Sequence, residues 1–133
     1  MKLTRRSEYA LLALIHLARA KGEGYVPVSA IAEAQGLPAK FLEQLLMALK
    51  RAGLVKSQKG PHGGYRLGRP ATKITLAEVV RLLDGALAPT ESVSTYFYES
   101  TPVEREKRLL RIFKEIRDFV SAKLEKATLA DVA

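Results

Sequence analysis

The chain contains no cysteine, no tryptophan and no asparagine. Without cysteine there are no disulfides, no thiolate zinc sites and no thiol-based redox sensing. Long apolar runs are missing too; none approaches the roughly 18 residues of a membrane span. The opening Met1-Lys2-Leu3-Thr4-Arg5-Arg6 is basic, but no small-residue cleavage site follows it. It reads as the start of an amphipathic helix rather than a leader, so a cytoplasmic protein with no membrane partner is expected. Enzyme chemistry has little to work with: no cysteine nucleophile, no phosphate loop, no metal-ligand cluster and no paired histidine and carboxylate. Neither an enzyme nor a cofactor is expected.

Acidic residues are scarce in one half only. Residues 1–73 hold 13 Lys+Arg and 4 Asp+Glu, a balance of +9, while residues 74–133 hold 9 and 10, a balance of −1. A generally basic surface would not concentrate the excess in this way, whereas a half that faces a polyanion would.

Helical spacing of Leu11, Leu12, Leu14, Ile15, Leu17 and Ala18 predicts a first helix over residues 4–21, stopped by Gly22 and Gly24. Pro27 biases Val26 to an extended connector. A short second helix over 28–34 is closed by Gly36, and a third begins with Pro38 in its first turn and ends at Gly53. Short helix, glycine turn and longer helix form a helix-turn-helix. Strands are predicted at 54–58 and 65–67, flanking Lys59-Gly60-Pro61-His62-Gly63-Gly64, whose composition makes a turn. A hairpin directly after a recognition helix is a wing.

Thr75-Leu76-Ala77-Glu78 has the pattern of a capping box and starts a fourth helix that presents Val79, Val80, Leu82 and Leu83 and stops at Gly85. Thr101-Pro102-Val103-Glu104 repeats the pattern and predicts a last helix to about residue 128, roughly 40 Å long. Its apolar residues Leu109, Leu110, Ile112, Phe113, Ile116, Phe119, Val120 and Leu124 recur by threes and fours. So long a stripe exceeds what a domain of this size needs inside, and it is expected to pair with a second copy. The expected fold is mainly α with a small β-hairpin: a winged helix-turn-helix over 1–85, a linker over 86–101, and a dimerisation helix with its tail over 102–133.

Tyr9-Ala10-Leu11, Leu42-Glu43-Gln44-Leu45, Gly53-Leu54-Val55 and the wing string KGPHGGYRLGRP, in this order, resemble the landmarks of the Rrf-type (IscR/NsrR/CymR-like) winged-helix transcription regulators. The likeness covers residues 1–84 closely, and Thr128-Leu129-Ala130-Asp131 after the long helix also fits. It implies a homodimeric regulator, a repressor in the first instance, on a partly palindromic operator in double-stranded DNA. The third helix would enter the major groove and the wing, Lys59 to Tyr65, the minor groove. By the same resemblance Glu43 and Gln44 read bases, a carboxylate accepting from cytosine and an amide pairing with adenine. Thr4, Arg5, Arg6, Tyr9, Lys40, Lys50 and Arg51 would contact the DNA backbone, setting register rather than sequence.

Three departures from the family pattern stand out. Lys59 replaces a frequent wing arginine, and Pro38-Ala39 replaces a serine near the recognition helix. These two are the only support for an alternative, a protein-interaction adaptor that has lost operator binding. Cluster-bearing members hold an iron–sulfur centre through three cysteines before the long helix; here that stretch has none, which implies the cluster-free branch, answering to an unidentified protein or small-molecule effector. Tyr96, Phe97 and Tyr98 lie there, expected to pack under the long helix or against the second copy rather than to line an effector pocket.

Overall fold

The computed structural model describes residues 1–20 and 24–133. Helix α1 is Arg5–Arg19; the last expected helical residue, Lys21, and the expected stop at Gly22 lie outside the described residues. Thr4 caps α1 by accepting the Ser7 N–H (3.4 Å), and Ala10, Ala13, Leu14, Leu17 and Ala18 form its buried side. The alanines let neighbouring helices come close, and α1 packs against α2 (Val28–Gln35), α3 (Ala39–Arg51), α4 (Leu76–Asp84) and α6 (Leu129–Val132). Helix α2 ends at Gly36 in the left-handed region (φ 66°), with the Leu37 N–H returning to the Ala32 carbonyl. The Gln35 amide donates to the Leu12 carbonyl (3.0 Å), tying α2 to α1. Pro38 sits one position before α3, as its cap residue, rather than in the first turn.

Strands β1 (Val55–Gln58) and β2 (Gly64–Leu67) pair antiparallel, with Val55 opposite Leu67 and Gln58 opposite Gly64. Val26 adds a further rung by exchanging both backbone hydrogen bonds with Tyr65 (2.7 and 2.8 Å). That contact is why Gly64 has no side chain: at φ 145° a Cβ there would lie 2.2 Å from the Val26 carbonyl oxygen.

The first capping pattern is only half made. Thr75 accepts the Glu78 N–H (3.1 Å), but the Glu78 carboxylate goes to Arg69, a charged partner stronger than a backbone amide. Val79 and Val80 are buried as expected, whereas Leu82 is 43% exposed. The second pattern is not made at all. Thr101 donates its hydroxyl to Ser92 (2.6 Å), and Glu104 accepts from Tyr98 and Ser100. Residues Pro102–Arg105 form one 3-10 turn, Glu106 is extended, and α5 runs only Lys107–Lys126, about 30 Å at 1.5 Å per residue.

No residue of α5 is fully buried. Val120 and Leu124 pack on Ala77, Val80 and Leu87 of their own chain, and Arg117 donates to the Val93 carbonyl (3.0 Å). Beyond α5 the chain returns to the winged half. Leu76 donates to the Ala127 carbonyl and Leu129 to the Ile74 carbonyl, Thr128 and Asp131 complete a reciprocal capping box, and Leu129 is 0% exposed within the main core. Leu129, in the tail grouped with the dimerisation segment by sequence, thus packs in the winged half's core.

Asp84, at the end of α4, accepts both the N–H (3.0 Å) and the hydroxyl (2.6 Å) of Thr4. Burial pushes its carboxyl upward. The two Thr4 hydrogen bonds, the Ser7 hydroxyl buried beside it without a partner of standard geometry, and the charge of Arg6 outweigh this, and the net shift is below the ordinary 3.8. A carboxylate depressed in the folded state stabilises above its unfolded pKa, and that contribution fades as pH falls through the folded value. Thr4→Ala should lower the unfolding free energy by about 1 kcal/mol in urea titration. The gap between wild type and Asp84→Asn should narrow below pH 3.8; a gap independent of pH would count against this latch.

Candidate nucleic-acid interface

Leu42, Leu45, Leu46 and Leu49 are buried, which fixes the rotation of α3 about its axis. The opposite side, Lys40, Glu43, Gln44, Met47, Lys50 and Arg51, is exposed. Among the described residues the ion pairs are Arg69–Glu78, Arg81–Glu125 and Arg117–Asp118, so none involves this face. Its cations and its one carboxylate are committed to no protein partner there.

A groove of about 560 Å³ separates α3 from the wing, lined by Met47, Lys50 and Arg51 on one side and Gln58, Lys59 and Tyr65 on the other. The wing tip, Lys59 to His62, is exposed, whereas Gly63, Gly64 and Tyr65 are half-buried at its root. A Cβ on Gly63 would lie 2.2 Å from the Gln58 carbonyl, so these glycines shape the hairpin. Arg66 lies 4.8 Å over the Tyr25 ring, holding β2 to the connector before α2.

The structure sorts the candidate backbone contacts. Lys50 and Arg51 share one groove with Lys59, and Arg5 and Arg6 are exposed at the start of α1. Tyr9 is half-buried, its ring edge-on to Phe41 at 5.6 Å and 85°, which aligns α1 with the start of α3. Thr4 has its hydroxyl proton on Asp84, so it serves the latch and offers a phosphate no free donor from its side chain. Met47 and Gln58 were not among the sequence-predicted residues. Met47 was discoverable, since it lies one turn beyond Glu43 on the same side; Gln58 shows itself only once the hairpin register is known.

Away from this face, α5 leaves Leu109 (40%), Ile112 (53%), Ile116 (43%) and Phe119 (74%) exposed, spaced three, four and three apart. Leu110 and Phe113 are half-buried. The predicted stripe is therefore two stripes: Val120 and Leu124 face their own domain, and the four exposed residues face outward. Tyr96, Phe97 and Tyr98 are exposed rather than packed under α5: Arg81 covers Tyr96 at 4.8 Å, and Tyr98 donates to Glu104.

The wing's approach to Val26 generates one prediction. Gly64→Ala places a methyl group against a backbone carbonyl that cannot turn aside, and overpacking of this kind costs about 1–3 kcal/mol. Thermal unfolding should show the loss; a variant as stable as wild type would mean that the wing is not held in this way.

Residues 3–133 match the Rrf2 family, described as an iron-dependent transcriptional regulator. The chain is 37% identical over 133 residues to the HTH-type transcriptional regulator CymR of Bacillus subtilis (strain 168), covering 100% of this chain and 90% of CymR. With the HTH-type transcriptional regulator IscR of Xenorhabdus nematophila it shares 43% identity over 90 residues, 68% of this chain and 55% of that protein. Among solved structures, CymR, the global cysteine regulator of B. subtilis, superposes with a TM-score of 0.81 at 36% identity, covering 100% of this chain and 96% of the other. IscR of T. potens gives 0.71 at 32% identity, with coverage of 99% and 85%. Iron–sulfur clusters are held by cysteine thiolates, and this chain has none. Residues 86–101 offer carboxylates and hydroxyls, and Thr90, Ser92 and Thr101 already bond one another. No three His, Cys, Asp or Glu side chains gather as metal ligands among the described residues, so this donor set does not fit such a cluster. The match along nearly the whole chain, the shared fold and the helix-and-wing face together place the chain in the Rrf2 family of transcriptional regulators.

Proposed function

We propose that the chain works in the cytoplasm as a cluster-free homodimeric repressor that binds a partly palindromic operator in double-stranded DNA. The observation that carries this reading is the outward face of α3, whose cations and carboxylate have no ion-pair partner among the described residues and adjoin the wing across one groove. In this reading α3 occupies the major groove and the wing tip the neighbouring minor groove. The DNA strand between them runs past Lys50, Arg51 and Lys59. Glu43 accepts from a cytosine amino group and Gln44 pairs with adenine. Lys40, Arg5 and Arg6 neutralise phosphates, and Tyr9 acts by orienting α1.

The exposed residues of α5 form the seam between two copies. A seam far from α3 sets two recognition helices at a fixed separation, which an operator matches with half-sites one helical turn or a multiple apart. The unit 1–85 with the returning tail reads DNA, α5 pairs, and residues 86–101 between them are where a protein or small-molecule effector would act.

Selection from random duplex DNA should enrich one inverted-repeat sequence. On it, Glu43→Ala should lose about 1–3 kcal/mol of discrimination at one base pair per half-site, with non-specific affinity unchanged. Equal loss on every sequence would exclude base reading by Glu43. Ile112→Asp with Ile116→Asp should sediment as a folded monomer, since both side chains are exposed in the single chain, and should bind the operator at least tenfold more weakly. A variant that stays dimeric would remove α5 as the seam.

A further inference from the structure

Met47 is 50% exposed, and the exposed side chains that surround it on α3, Lys40, Glu43, Gln44, Lys50 and Arg51, are charged or an amide. A single exposed apolar residue is ordinary on a protein surface; its position is what sets this one apart. At about 100° per residue, Met47 lies about 40° from Glu43 and from Arg51 and about 60° from Gln44 and from Lys50, so it is the centre of the face. A centrally placed side chain on a helix in the major groove meets base edges before it meets phosphates. A thioether on a flexible chain gains nothing from a phosphate and little from base amino or carbonyl groups. The one apolar group that unmodified base pairs present there is the 5-methyl of thymine.

We propose that Met47 is a specificity-determining residue that reads a thymine 5-methyl group in each operator half-site. This rests on the operator-binding reading above. Glu43 and Met47 are about 6 Å apart along the helix axis, and base pairs are about 3.4 Å apart, so the thymine lies about two steps from the base pair read by Glu43. Methionine suits the task because its three rotatable bonds and polarisable sulfur adapt to a methyl surface.

The test replaces each thymine of the selected operator in turn with deoxyuridine, which removes the 5-methyl and nothing else. Affinities are measured for wild type and Met47→Ala, with unfolding curves confirming that the variant is folded. One thymine per half-site should matter: wild type should lose about fourfold in affinity there, the worth of one buried carbon at about 0.8 kcal/mol. Met47→Ala should bind the thymine and uracil duplexes equally. Indifference of wild type at every thymine would overturn the proposal. So would a Met47→Ala loss that is the same on both duplexes, which would place the thioether against deoxyribose instead. Failure of the underlying reading looks different, because no sequence would then be enriched from the random pool.

Discussion

Leu42, Leu45, Leu46 and Leu49 stand on one side of α3, and none of them is more than 1% exposed. Burial of this order is worth about 1.5–3 kcal/mol per leucine, far more than any one surface charge contributes. The helix therefore cannot rotate about its axis to hide Glu43 or gather its cations inward. Ala10, Ala13 and Leu14 of α1 share one core with Leu42, Leu46 and Leu49, and Tyr9 sets its edge against Phe41 at the start of α3. The outward side is thus what remains once the leucines are satisfied, and its charges are held in place by packing they take no part in.

A second set of contacts ties the two halves of the chain together. Leu129 enters the winged core, and the backbone around Thr128 pairs with that around Thr75. Asp84 holds Thr4, so the end of α4 is fastened to the start of α1. Helix α5 leaves α4 by way of residues 86–106 and is returned to the core by the tail, and it is fixed at both ends.

The sequence made much of this legible, because glycine and leucine speak locally. Gly36 and Gly53 end helices at positive φ, and the leucines of α3 repeat with the helical period. Side-chain caps were harder to read, since Thr and Glu have several partners to choose among. Glu78 prefers Arg69 to a backbone amide, and Glu104 prefers two hydroxyls, which cost the last helix its expected start. Contacts distant in sequence could not be seen at all. The hydrogen bond from Thr4 to a carboxylate eighty residues away is one of these.

The central claim, that α3 enters the major groove while the wing enters the minor groove beside it, is tested most directly by dimethyl sulfate footprinting on the selected operator. The reagent methylates guanine N7 in the major groove and adenine N3 in the minor groove, so one experiment reports on both. The account predicts two symmetric blocks of N7 protection, each flanked by N3 protection, and loss of the N3 protection alone when residues 59–62 of the wing tip are replaced by a neutral turn. N7 positions left fully reactive in the bound complex would contradict it.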